Sequence, residues 1–173
     1  MTNATTLNEK TNAKIEVKGD LNFTADLGVI AAISVRLSGT LKIGVGTFLV
    51  VQEGIEAGGG IEAGGGIKAG WGIKAGGGIK AGWGIEAGWG IEAGGGIEAG
   101  EGIKAGWGIE AGGGIEAGLS VICEAVLSAA FRIFAGTTMW KKTVTEEEKT
   151  IRCKRLASGE VCYGTLVETE KQQ

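Results

Sequence analysis

Four tryptophans, Trp71, Trp83, Trp89 and Trp107, stand in the middle of the chain, and Trp71, Trp89 and Trp107 are eighteen residues apart. Indoles held at a fixed interval can supply binding chemistry, because a rigid aromatic side chain gives up little entropy on docking. The competing reading is that each indole only shields neighbouring backbone. Lys149, Arg152, Lys154 and Arg155 form a second candidate. They suit an acidic partner or a phosphate backbone, and equally a plain solvated strand face. Chemistry beyond binding is hard to build here. The chain has no histidine, which removes the commonest general base and metal ligand. Cys123, Cys153 and Cys162 follow no zinc spacing and are expected as small apolar groups. The many Gly-x-Gly matches lack the Gly-Lys-Ser/Thr that a phosphate loop needs after its strand. No catalytic residue, cofactor, metal or small-molecule substrate is expected, and the chain is read as a non-enzyme.

The tryptophans are positioned by a repeat. From Gly54 to Gly118 the phrase Gly-Ile-(Glu/Lys)-Ala-Gly-x recurs without insertion, with x drawn from Gly, Trp and Glu. Isoleucine and alanine two apart, with a charge between them, is strand spacing: two side chains in, one out. The glycines exclude a helix, each costing about 1 kcal/mol in a helix interior. Gly-x-Gly reads as a corner, with glycine taken to provide positive φ. So short and strict a period implies stacked coils that bury their apolar faces only against each other. Three phrases per coil bring Trp71, Trp89 and Trp107 into one column and leave Trp83 on another corner. The same spacing sorts the charges into columns in which six of eight vertical neighbours have opposite sign. Exposed cross-strand pairs add at the low end of about 0.2–1 kcal/mol each, so their larger role is register.

The expected fold is therefore all-β: a triangular parallel β-helix of about eighteen residues per coil, with a small C-terminal antiparallel β-meander. Residues 1–14 read as a flexible polar arm. From Ile15 to Val51 a two-residue alternation places odd positions inward, Val29, Ala31 and Ile33 among them, so 15–53 reads as irregular coils of the same solenoid. A β-sandwich there is the alternative. Val121, Leu127 and Ile133 keep the isoleucine register, which favours strand to Ala135 over a helix across 124–134. The solenoid thus covers 15–135. Over 136–173, strands at 137–144, 150–156 and 161–169 suggest the meander, as a cap or a dimerisation element.

A net charge of −3 with interleaved signs disfavours both a DNA mimic and a general nucleic-acid binder. An odd cysteine count argues against a disulfide framework, and a Cys153–Cys162 bond is not expected. No signal core or membrane-length apolar run is present. A cytoplasmic location, that of the host cell if the chain is phage-encoded, is the default, with no membrane partner.

The six-residue phase over 15–135 resembles two families. One is the hexapeptide-repeat acyltransferases, whose phrase has the reverse order of large and small residues and whose catalysis needs a histidine that this chain lacks. The other is the bactofilin-like filament proteins, which polymerise through coil ends. The GIEAG/GIKAG arrays with the IRCKRL…GTL tail also resemble glycine-rich hexapeptide-repeat proteins of phage and bacterial origin. That resemblance implies a non-enzymatic, anti-CRISPR-type inhibitor that docks on a protein or ribonucleoprotein partner. The alternative is a self-assembling structural or filament-forming protein, a homo-oligomer through the meander or the coil ends.

Overall fold

The computed structural model describes residues 14–23 and 28–170. The polar arm expected over 1–14 lies outside them, apart from Lys14. Every described strand pairs in parallel, and the pairings sort the strands into three columns, the faces of one solenoid of about eight coils. Lys14–Val17, Ser34–Leu37, Ile55–Ala57, Ile73–Ala75, Ile91–Ala93 and Ile109–Ala111 build the first face. Leu21–Phe23, Leu41–Val45, Ile61–Gly64, Ile79–Ala81, Ile97–Ala99 and Ile115–Ala117 build the second. The third runs from Val29–Ala32 through Phe48–Val51, Ile67–Ala69, Ile85–Ala87, Ile103–Ala105 and Val121–Cys123 to Thr150–Cys153 and Thr165–Glu168. The first two faces join into one sheet because Val126–Ala135 turns the corner unbroken. Its Leu127 lies on Ile109, and its Ile133 lies on Ile115. The segment that could have been helix is strand.

Within the repeat, identical residues stack: Ile73 lies between Ile55 and Ile91, and Ala75 between Ala57 and Ala93. All eleven repeat isoleucines and their alanines are buried and form one continuous core. Earlier coils are longer, since Leu21 lies on Leu41 and Leu41 on Ile61, twenty residues apart. Only from Leu49, which lies on Ile67, does the eighteen-residue spacing set in.

Three expectations need correction. The glycines of the repeat are not there for positive φ, since no repeat glycine adopts it. Close approach is the reason. A Cβ on the glycine that follows each alanine, such as Gly76 or Gly94, would run into a backbone carbonyl of the coil below, that of Gly58 or Gly76 respectively. The glycine preceding each isoleucine is less confined: a Cβ at Gly78 would meet the Gly96 carbonyl at 3.1 Å. The second correction concerns the third face, where Ile30 and Ala32 point inward while Val29 is exposed. Ile30 lies on Leu49, nineteen residues on, and an odd spacing reverses which parity faces the core.

The third correction is the C-terminal meander, which is not antiparallel. Ile151 lies on Val121, Leu156 on Leu127, Val161 on Ile133 and Leu166 on Ile151, all in parallel. Ile151 and Cys153 are buried, and Leu156, Val161 and Leu166 pack partly buried against the core, so these strands carry the coil onward despite the change in composition. Their bounds also differ from expectation, the strands being Thr150–Cys153, Arg155–Tyr163 and Thr165–Glu168. The strand expected at 137–144 is absent. Residues 137–149 instead form a loop inserted between the second and third faces. Its base is fastened by hydrogen bonds from Thr145 N–H to Glu148 Oε2 and from Glu148 N–H to Thr145 Oγ1, and by a Lys141–Glu148 ion pair. That reciprocal arrangement satisfies two backbone donors at once.

Candidate functional site

The corner leading into the first face is a ladder of rungs, each N–H donating to the carbonyl one coil below. Trp71 bonds Glu53 at 2.9 Å, Trp89 bonds Trp71 at 3.2 Å and Trp107 bonds Trp89 at 3.1 Å. Ala125 on Trp107 (3.1 Å) and Lys154 on Ala125 (2.9 Å) continue it. The three tryptophans thus occupy consecutive rungs about 4.8 Å apart. The indoles of Trp71 and Trp89 stack with ring centroids 6.1 Å apart and planes 20° apart. Exposure is 52% at Trp71 and 70% at Trp107.

These indoles wall a recess of about 780 Å³ along the first face, with Gly72, Gly90 and Gly108 on its floor and Lys74, Glu92 and Glu110 on its far side. The second face carries a recess of similar size, about 800 Å³, but its corner is bare. Gly59, Gly77, Gly95 and Gly113 fill the rungs there, and aromatic side chains arrive only at the end, as Phe131 and Phe134. Trp83 stands apart from the column. It lies on the corner leading into the third face and meets Phe48 edge-on at 5.2 Å.

The charge columns are stacked as the register requires, but their ion pairs have a direction. Arg36 bonds Glu56 (2.9 Å), Lys68 bonds Glu86 (3.1 Å), Lys74 bonds Glu92 (2.7 Å) and Lys80 bonds Glu98 (2.7 Å). In each, the cation reaches to the coil on its C-terminal side. Hydrogen bonding to Glu92 and to Glu98 raises the pKa of Lys74 and Lys80 respectively. Where Glu110 follows Glu92 and Glu116 follows Glu98, like charges meet. Among the described residues neither Glu110 nor Glu116 has an ion-pair partner.

The basic run does not form one patch. Lys149 bonds Glu146 at 2.7 Å and lies over the Tyr163 ring, 5.6 Å from its centroid. Glu146 therefore raises its pKa. Arg152 projects from the third face, above Ile122. Lys154 continues the tryptophan corner, with Glu170 donating its N–H to the Lys154 carbonyl at 3.0 Å as the next rung, and its side chain pairs with Glu170 at 3.4 Å. Arg155 lies on Val126 at the end of the first face. Two of the four thus extend the tryptophan edge and two do not. The cysteines are all free, with Cys123 and Cys153 buried and Cys162 exposed. Burial pushes the Cys153 thiol up to about 11, far from a reactive thiolate at neutral pH.

Sequence reasoning missed several exposed apolar side chains, among them Val45, which the alternation placed inward and which is 85% exposed. Phe131 stands beside the glycine corner, and Met139 and Trp140 form the tip of the inserted loop. Only Phe131 left a signal, since it falls in the corner phase of the repeat. Comparisons with family models, curated proteins and solved structures find no match.

Proposed function

We propose that the chain is a non-enzymatic binding protein that docks a macromolecular partner along the tryptophan-walled first face. The observation that carries this reading is the alignment of Trp71, Trp89 and Trp107 as one exposed wall of an open recess on a rigid stack of coils. Large aromatic side chains held in place by the backbone ladder lose little freedom on contact, which is what an interaction hot spot needs. Lys154 and Arg155 lengthen the same edge with positive charge. The most specific form of the proposal, a phage-type inhibitor docking on a nucleic-acid-targeting defence complex in the cytoplasm, draws on the sequence resemblance alone. Among the described residues no helix is long and apolar enough to cross a membrane.

The test is capture of a partner from a lysate of the source cells, identified by mass spectrometry. Replacing all three residues (Trp71→Gly, Trp89→Gly, Trp107→Gly) is expected to abolish capture and leave the β-type circular dichroism intact. Undiminished capture by that variant overturns the proposal. Collapse of the β signal shows instead that the indoles shield backbone.

A further inference from the structure

Met139 is 99% exposed and Trp140 63% exposed, side by side at the tip of the loop. Two adjacent large apolar side chains this open to water form a contiguous apolar patch, the kind of feature that marks a contact site. The loop beneath them is not loose. Besides the Thr145–Glu148 bonds, Thr150 Oγ1 donates to the Glu146 carbonyl at 2.9 Å and Thr165 Oγ1 to Glu146 Oε2 at 2.9 Å. The fastened loop thus holds two adjacent apolar side chains out in water. Lys142 follows the tip, exposed and without an ion pair among the described residues.

The first-face recess is the complementary surface. It offers three indoles and is lined by five carboxylates against three cations. Arg36 and Lys74 are already engaged by Glu56 and Glu92. Glu110, one coil beyond Glu92 and two residues before the bare glycine corner, is left without a cation. A thioether and an indole suit an aromatic wall, and the free lysine suits the free carboxylate. The tip rises from the corner opposite the first face, so a chain does not reach its own recess.

We infer that a second copy of this chain seats its Met139–Trp140 tip against Trp89 and Trp107, with its Lys142 at Glu110. The inference rests on reading the recess as a docking site, and adds the occupant it takes when no other partner covers it. The two surfaces differ, so the contact is heterologous: each copy keeps a free tip or a free recess, and association continues head-to-tail until a ring closes.

Sedimentation velocity of the full chain over a range of concentrations tests this. The wild type is expected to gain mass with concentration. The double variant Met139→Ala/Trp140→Ala and the triple tryptophan-to-glycine variant should each sediment as monomers. Mixed, they should form a one-to-one complex that grows no further, since one supplies only a recess and the other only a tip. Lys142→Glu should weaken association by about fivefold or less, and adding Glu110→Lys should restore it. A wild type that stays monomeric at every concentration overturns the inference, as does association that survives loss of the tip, or a mixture that fails to combine. If the triple variant does not fold, the tip variant and the charge exchange still decide. Loss of partner capture by the triple variant beside a monomeric wild type sinks only this inference. Retained capture beside normal self-association sinks only the partner-docking reading.

Discussion

Two corners of the same coils differ at a single position of the phrase. One carries Trp71, Trp89 and Trp107, and the other Gly77, Gly95 and Gly113, over backbone ladders of the same kind, with Trp89 N–H to Trp71 O at 3.2 Å and Gly95 N–H to Gly77 O at 3.0 Å. The coils stack equally well on both sides, so the fold does not require the indoles. The reverse does not hold. A Cβ at Gly95 would lie 2.9 Å from the Gly78 nitrogen, and one at Gly113 2.7 Å from that of Gly96. The glycine edge is set by packing. The backbone ladder leaves the tryptophan edge free to vary.

The sharpest way to break the comparison is to crowd a position that both corners share. Gly94→Ala drives a Cβ into the Gly76 carbonyl of the coil below, where neither partner is a flexible side chain. We expect a loss at or above the upper end of the about 1–3 kcal/mol typical of overpacking, read as a fall in urea midpoint or as loss of soluble protein. Gly96→Ala, whose Cβ would stand 3.1 Å from the Gly114 carbonyl, should cost clearly less. Next comes exchange of the corners themselves. Gly95→Trp should destabilise by about 1–3 kcal/mol, whereas Trp89→Gly should cost no more than the about 0.5–1.5 kcal/mol of a lost aromatic pair. Equal costs would mean that the two edges are structurally equivalent, and that the indoles need no external explanation. The smallest effect concerns the charge column common to both. Lys74→Glu puts four carboxylates in line, with Glu56, Glu92 and Glu110, and should lower the melting temperature less than either exchange above, by still less in high salt. Because Glu92 raises the Lys74 pKa above its usual 10.5, the contribution of this pair is complete below that pH. It fades as the pH climbs through the raised value. The gap between the wild-type and mutant melting temperatures should therefore narrow in strong base, leaving only the repulsion among the variant's carboxylates.

The regular coils were readable in the chain because their period is strict, and stacking then leaves one choice of which residues align. Trp89 over Trp71 and Glu92 over Lys74 follow from that spacing alone. What glycine does at Gly76 was not readable, since freedom in φ and the need for close approach leave the same letter. Ile30 was misplaced because its step to Leu49 is nineteen residues, an odd number, while the alternation carried a single parity along the chain. The C-terminal strands were misread for a related reason. Ile151 lies thirty residues after Val121, Leu156 twenty-nine after Leu127, and Val161 twenty-eight after Ile133. No fixed period spans the insertion, although each pair still meets across one ladder. Of the candidate surface, the tryptophan column was visible and Lys154 and Arg155 were half-visible, while the Met139–Trp140 tip was hidden inside a presumed strand.

Since Ile73 meets Ile55 below and Ile91 above in the same register, the stretch 73–90 is bounded by interchangeable seams. Excising it would rejoin Gly72 to Ile91 in the arrangement found at every other junction, with the wall of the recess shortened by one indole. Slippage by whole coils in the coding repeat therefore changes the length of the tryptophan edge in fixed steps and leaves both ends of the molecule alone. A chain built this way can be lengthened or shortened without redesigning its core.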